Sequence, residues 1–165
     1  KATDAINKTM RKHPGKVHYV RGDVTVNADL IEIVNTAMDK FGRIDVLFNN
    51  HGVMIGSPLL ETTEEEIDQV LNINVRASFL LCQRVARQMV EQGDGGSIIL
   101  NSSVGGLVGF PDMAAYGASK AGVAQLARSM ANDLRDHQIR VNAVAPGAID
   151  TPMPHKYLEK FESLV

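Results

Sequence analysis

The sequence is poor in the residues with which proteins build disulfides and metal centres. Cys82 is the only cysteine among 165 residues, so no intrachain disulfide can form. Its neighbours Leu80 and Leu81 favour a small buried side chain over a reactive thiol. The five histidines have no metal-ligand spacing, and no second cysteine can join them. The sequence therefore predicts no metal site.

Strong charge and long apolar runs are also missing. A net charge of −2 and a pI near 6.2 give no basic surface of the kind that binds nucleic acid or anionic membranes. No apolar run approaches the length of a membrane span, and the N-terminus lacks the basic and then apolar pattern of a signal peptide. We therefore expect a cytoplasmic protein with neither a nucleic-acid nor a membrane partner.

What the sequence does contain is an alternation of strand and helix patterns. Four short apolar runs predict strands at about Val17–Val20, Val46–Phe48, Ser97–Leu100 and Arg140–Ala145. The first predicted helix is Asn27–Phe41, with Asn27 as N-cap and Gly42 beyond the end. The second begins at the capping-box pattern at Thr63 and runs, with a kink, to about Val90. The third follows Pro111. This alternation predicts an α/β fold, with a parallel sheet covered by helices on both faces.

Three residues suggest proton transfer to or from an alcohol or ketone. Tyr116 and Lys120 are four residues apart on a predicted helix and so share a face. Tyrosine is a poor base at neutral pH until a nearby cation favours the phenolate, and Lys120 is placed to supply that cation. Ser103, thirteen residues before the tyrosine, follows a predicted strand and could hold the substrate oxygen. A surface Tyr and Lys pair on an amphipathic helix is the alternative.

Polar turns at two other predicted strand ends favour the chemical interpretation. Asn49-Asn50-His51-Gly52 follows one strand, and Pro146-Gly147 closes another. In open α/β sheets, ligands bind beyond the carboxyl ends of the strands.

With these motifs in this order, the sequence resembles the short-chain dehydrogenase/reductase family, in particular its 3-oxoacyl reductases, from about Lys16 to Met153. The resemblance implies a Rossmann-type, doubly wound parallel sheet in three αβα layers, forming one dinucleotide-binding and catalytic domain over residues 1–165. It further implies NAD or NADP as cofactor, and hydride transfer to or from a small alcohol or ketone.

The resemblance also assigns catalytic roles to four residues. Tyr116 would be the acid/base, and Ser103 would orient and polarise the carbonyl. Lys120 would favour the phenolate and bind the nicotinamide ribose. Asn74 would hold a water in the proton relay to the lysine. Asn72 is the alternative match, although the Val that follows position 74 favours Asn74.

For the cofactor, the resemblance implies three groups of contacts. Asp23 and Val24 would meet the adenine, and Asn50 and Gly52 the adenosine ribose. The loop near the nicotinamide and phosphates would supply Pro146, Gly147, Ile149 and Thr151. From the residues alone, Asp23 could simply cap the following helix and the asparagines could simply hold turns.

The sequence departs from the family pattern in its extent. The family's first two strands, its Gly-rich phosphate loop and its last strand have no counterpart here, and the family sheet order places the first two strands between the third and the fourth. We therefore expect a domain that does not close its sheet, and residues that are part of a longer protein. A non-catalytic remnant that serves as a binding or scaffolding protein is the alternative function.

Three further features carry expectations. His51 stands where the family usually has Ala, and it could contact the cofactor, add a pH-dependent contact or point outward; we interpret it as a spectator. The third helix is rich in Ala and Gly, and family members commonly pair this helix across a subunit interface, which suggests a homodimer or homotetramer. The glycines of Gly105–Gly109 lack phosphate-loop spacing and are expected to shape the substrate pocket.

Overall fold

The computed structural model describes residues 15–149, in which three parallel strands alternate with helices. The strands are β1 (Val46–Asn49), β2 (Gly96–Asn101) and β3 (Ile139–Val144). The long helices are α1 (Asn27–Phe41), α2 (Glu64–Leu71), α3 (Ala77–Gln92) and α4 (Ala114–Asp133). Among these residues, no helix is long and apolar enough to cross a bilayer, and no three Cys, His, Asp or Glu side chains are grouped as metal ligands.

The sheet has the order β1-β2-β3, with β2 in the middle. Val46 pairs with Ser97, and Ser97 in turn pairs with Arg140. Because all three strands run the same way, their carboxyl ends meet at one edge of the sheet. The polar segments that follow β1, β2 and β3 therefore lie near one another, as the sequence predicts.

Segment Val17–Val20 is not a strand, so that prediction is wrong. Val17 is 52% exposed and Tyr19 is 58% exposed. A strand needs a neighbour to take up its backbone N–H and C=O groups. No strand lies beside this segment within residues 15–149, in line with the family sheet order, which separates it from β1 by two further strands.

The helices agree closely with the predicted ones, apart from one cap. Gly42 ends α1 in the left-handed conformation (φ 76°), as expected. The N-cap of α1, however, is Val26 rather than Asn27. Asn27 uses its side-chain oxygen to accept a hydrogen bond from Arg84 on α3 instead, so its amide ties two helices together.

The predicted kink in the second helix is a π-helical turn at Asn72–Arg76, between α2 and α3. The capping box at the start of α2 is formed as predicted. Glu66 N donates to Thr63 Oγ1 at 3.2 Å, and Thr63 N donates to a Glu66 carboxylate oxygen at 3.1 Å.

The core lies on one face of the sheet. Leu30 and Val34 of α1, the inner faces of α3 and α4, and alternate residues of β2 and β3 form a single buried cluster. The opposite face is bare within residues 15–149, and on it Val46 is 58% exposed and Phe48 is 56% exposed. The parallel α/β sheet is thus confirmed, whereas this part of the chain contains only one of the two helical layers predicted from the sequence.

Candidate active site

Helix α4 places Tyr116 and Lys120 on its inner face, as their spacing predicts. Both side chains are buried, with exposed fractions of 9% and 5%. Lys120 Nζ lies 5.9 Å from the centre of the Tyr116 ring and donates a hydrogen bond to the carbonyl oxygen of Asn101 at 2.7 Å. Burial lowers the pKa of Lys120, because desolvation disfavours the ammonium form.

The segment after β2 brings Ser103 to the same helix. Ser102 Oγ donates to the carbonyl oxygen of Lys120 at 2.7 Å, which fixes the end of β2 against α4. Ser103 Oγ accepts from Gly105 N at 3.1 Å. A Cβ atom on Gly105 would lie 3.4 Å from Tyr116 Cε1 and 3.5 Å from Ser103 Oγ. Gly105 therefore sits between the serine hydroxyl and the tyrosine ring.

Asn74, which lies in the π-helical turn, also reaches α4. It is 1% exposed, and its Nδ2 donates to Val53 O and to Ser119 Oγ, each at 2.9 Å. Its Oδ1 accepts from Val53 N at 2.8 Å. Ser119 Oγ donates in turn to Tyr116 O at 2.7 Å. Asn74 is thus connected to the tyrosine through one hydroxyl.

Asn72, the alternative match, has a different environment. Its side-chain oxygen accepts from Arg76 Nη1 at 3.4 Å, in an exposed contact along the helix surface. Of the two asparagines, Asn74 is the one that contacts the segment after β1 and helix α4.

The turn after β1 packs against both Asn74 and Lys120. A Cβ atom on Gly52 would lie 3.2 Å from Asn74 Oδ1 and 3.2 Å from Lys120 Nζ. Asn50 Oδ1 accepts from Asn101 Nδ2 at 2.6 Å, which joins the ends of β1 and β2. A side chain at position 52 would therefore require Asn74 or Lys120 to move by a few tenths of an ångström.

His51 does not point outward, which is the placement expected of a spectator, and its role in catalysis stays a prediction. Its Nε2 lies 3.1 Å from Ile73 O and 3.3 Å from Ser78 Oγ. Burial is the largest effect on its pKa and lowers it; the hydrogen bond to Ile73 opposes this change, and the charge of Lys120 adds to it. The ring therefore belongs to the contact between the turn and the π-helical segment.

A cavity of about 640 Å³ opens beside this turn. It is lined by residues of two segments and the π-helical turn: Arg21, Gly22, Asp23, Val24, Asp29, His51, Gly52, Val53 and Ile73. Its volume is in the range of pockets that hold small ligands and cofactors. Three of the residues assigned to the adenosine half of the cofactor, Asp23, Val24 and Gly52, line this cavity, so the residues present fit that part of a dinucleotide.

Asp23 has a local role as well. Its Oδ1 accepts from Thr25 N at 2.8 Å and from Thr25 Oγ1 at 2.7 Å, and these bonds, with the side-chain one as the largest cause, lower its pKa. It thus holds the turn before α1 and does not cap the helix itself. Val24 packs against the edge of the core.

The predicted nicotinamide loop is placed only in part. Pro146 O accepts from Val104 N at 2.9 Å, which joins the segment after β3 to the turn that follows Ser103. Gly147 and Ile149 are exposed and do not line the cavity. Thr151 lies outside the described residues.

Sequence reasoning missed three partners of the site. The carbonyl of Asn101 holds Lys120 Nζ, but a backbone atom leaves no trace in the sequence. The two serines could have been found from the sequence. Ser119 follows Tyr116 by three residues and Ser78 follows Asn74 by four, and residues at these spacings lie on one helix face.

Comparisons with known proteins agree with this geometry. The sequence profile of the short chain dehydrogenases matches residues 1–161. The 3-oxoacyl-(acyl-carrier-protein) reductase of Thermotoga maritima is 42% identical over 157 residues, which are 95% of this chain and 63% of that protein. This chain thus spans less than two thirds of that relative.

Solved structures give the same result. A short-chain type dehydrogenase/reductase from Mycobacterium marinum superposes with a TM-score of 0.92 at 33% identity, covering 99% of this chain and 65% of that one. An NAD⁺-bound xylitol dehydrogenase superposes with a TM-score of 0.83 at 35% identity, covering 88% of this chain and 56% of that one.

Proposed function

The chain belongs to the short-chain dehydrogenase family, and on that basis we propose that the complete protein is an NAD- or NADP-dependent oxidoreductase acting on a secondary alcohol or ketone. The observation that carries this proposal is the convergence of Ser103, Tyr116 and Lys120 where β2 meets α4. When bound, the nicotinamide supplies or accepts the hydride. The protein supplies orientation and the proton.

Tyr116 is the proposed acid/base. Its phenol gives a proton to the carbonyl oxygen during reduction, and its phenolate takes the hydroxyl proton during oxidation. Ser103, on the other side of Gly105, holds the substrate oxygen by a hydrogen bond. Lys120, with Nζ 5.9 Å from the ring centre, is proposed to stabilise the negative charge that develops on the tyrosine oxygen.

Asn74 is proposed to hold the water of a proton relay to Lys120. An amide oxygen can accept two hydrogen bonds, and Asn74 Oδ1 accepts one from Val53 N. Asn74 Oδ1 and Lys120 Nζ each lie 3.2 Å from the position that a Cβ atom on Gly52 would take, so both atoms flank this turn. A water that accepts from the lysine and donates to the amide oxygen would connect the two groups.

We further propose which segments of the chain bind each half of the cofactor. Asp23, Val24, Asn50 and Gly52 hold the adenosine half; the cavity beside the turn supports this for Asp23, Val24 and Gly52, which line it, whereas Asn50 does not line it. Lys120 and Tyr116, with the loop Pro146, Gly147, Ile149 and Thr151, hold the nicotinamide half. Fluorescence titration of the complete protein with NADH and with NADPH measures which of the two binds.

Substitution Tyr116→Phe tests the mechanism. It removes one oxygen from a buried ring, so we expect the complete protein still to bind the cofactor through its other contacts and to lose nearly all turnover on a panel of secondary alcohols and ketones. The control is Tyr19→Phe, the same chemical change at a tyrosine that is 58% exposed. Near-normal turnover in Tyr116→Phe contradicts the assignment.

We also propose that the complete protein is a homo-oligomer, either a dimer or a tetramer. On the outer surface, α4 exposes Ala114, Ala118 and Ala121, and α3 exposes Phe79, which is 44% accessible. Small side chains allow helices to approach closely, and an exposed aromatic ring favours burial. Light scattering of the complete protein should give a multiple of the monomer mass, and a monomeric mass would contradict this part of the proposal.

The alternative of a non-catalytic remnant receives less support. The relatives reported above are named as reductases and dehydrogenases, and the Asn-Ser-Tyr-Lys set is present in this chain. Detectable oxidation of secondary alcohols by the purified protein would exclude it.

A further inference from the structure

In the π-helical turn between α2 and α3, two backbone carbonyls are in contact with side chains. In a π-helix the hydrogen bonds span five residues in place of four, and here Ala77 N donates to Asn72 O. The next two carbonyls receive side-chain contacts. Ile73 O is 3.1 Å from His51 Nε2, and Asn74 O accepts from Ser78 Oγ at 2.7 Å.

The contact with Ile73 fixes the proton on the His51 ring. A carbonyl oxygen only accepts hydrogen bonds, so Nε2 carries the proton in this contact. The same nitrogen lies 3.3 Å from Ser78 Oγ. His51 therefore joins the turn after β1 to both consecutive side-chain contacts of the π-helical turn.

A second set of hydrogen bonds between the turn and the π-helical segment lies two residues further along the turn. Asn74 bonds both backbone groups of Val53, at 2.8 Å and 2.9 Å. Gly52 therefore lies between His51 and Val53, the two residues of the turn that bond the π-helical segment. Its Cα position therefore depends on His51 on one side and on Val53 on the other.

The position of Gly52 sets the space around Lys120 Nζ. A single Cβ atom on Gly52 would be 3.2 Å from that nitrogen and 3.2 Å from Asn74 Oδ1. A shift of the turn toward the helix would push on the lysine, and a shift away would widen the gap between Asn74 and the lysine.

We propose that His51 is a positioning residue of this site, which holds the turn after β1 against the π-helical turn by donating from Nε2 to Ile73 O. It acts on Lys120 through Gly52 and Asn74. Its effect on turnover rests on the function proposed above, whereas its effect on the π-helical turn does not.

Three variants of the complete protein test this inference. His51→Ala removes the donor. His51→Gln keeps an N–H group at a similar distance from the backbone, but its amide does not take up a proton near neutral pH. His137→Ala removes an exposed histidine elsewhere and serves as the control.

Hydrogen exchange with mass spectrometry provides the readout that does not depend on activity. Exchange at the amides of residues 73–78 should become about tenfold faster in His51→Ala, the effect expected when a partly buried carbonyl loses its donor. In His51→Gln and His137→Ala it should stay within about twofold of the wild type. Unchanged exchange in His51→Ala, or equally fast exchange in His51→Gln, overturns the proposal.

Turnover and cofactor titration provide the second readout. kcat/KM should fall about tenfold in His51→Ala and recover most of that loss in His51→Gln. Weaker cofactor binding with unchanged exchange at residues 73–78 would make His51 a ligand contact and overturn the positioning role. If the wild type shows no turnover with any tested alcohol or ketone, the proposed function fails, and the exchange measurement still decides the role of His51.

Discussion

Gly106 makes the tightest backbone contact between the loop after β2 and α4. Its replacement by alanine tests how much this contact contributes to the free energy of unfolding. A Cβ atom there would lie 2.6 Å from Ala121 N, 2.6 Å from Lys120 C and 3.0 Å from Lys120 Cβ. Two of these three atoms belong to the backbone of a long helix, so no rotamer change relieves the overlap. Either the loop or the helix must move.

The expected cost follows from this geometry. Overpacking typically destabilises a protein by about 1–3 kcal/mol. Because the clash involves helix backbone, we expect Gly106→Ala to lower the free energy of unfolding by about 3 kcal/mol. For a domain of this size, that corresponds to a fall in Tm of roughly 6–12 °C.

A matched control exists three residues further on. A Cβ atom on Gly109 would meet nothing within 4 Å, so Gly109→Ala makes the same chemical change in free space. Its free energy of unfolding should be unchanged or higher by up to about 1 kcal/mol, since alanine restricts the unfolded chain. Urea denaturation followed by circular dichroism compares the two variants, and a difference below about 1 kcal/mol would refute the packing argument.

Two further predictions concern buried titratable groups. Burial raises the pKa of Cys82 to about 12, so iodoacetamide at pH 8 should label the thiol only after unfolding; rapid labelling of the native protein would contradict this. The pKa of His51 is lowered, by burial first and by Lys120 in addition, so the unfolded chain takes up this proton before the folded one does. The His51 contribution should therefore reduce stability as the pH falls below about 6.5, and His51→Gln should show a smaller loss between pH 7 and pH 5 by urea denaturation at each pH.

The strands and helices that the sequence predicts correctly are those whose partners lie within the described residues. β1, β2 and β3 have apolar runs and also have one another as neighbours. Val17–Val20 has the same kind of run but no neighbouring strand within residues 15–149, so its pattern alone did not make it a strand. Strand patterns report the preference of a segment, whereas hydrogen-bond partners decide the outcome.

The candidate site shows a similar division. The meeting of Ser103, Tyr116 and Lys120 follows from helical spacing and from the parallel strand ends, both of which are properties of the sequence. The contact of His51 with Ile73 O does not, because it depends on where a π-helical turn places its backbone carbonyls. The sequence indicates a kink there, but it does not show which side chain completes the turn.

One face of the sheet is bare within residues 15–149, and this affects stability more than the arrangement of the site. Ser103, Tyr116, Lys120 and Asn74 are held by contacts among β2, α4 and the π-helical turn, and the helices of this group pack on the covered face. Phe48 and Val46, by contrast, expose large apolar surfaces on the opposite face. Burying them would stabilise the sheet at roughly 25 cal/mol for each Å² removed from water, without touching the hydrogen bonds that position Lys120 and Asn74. A cover on this face therefore adds free energy of folding to a site whose geometry is already determined by the other face.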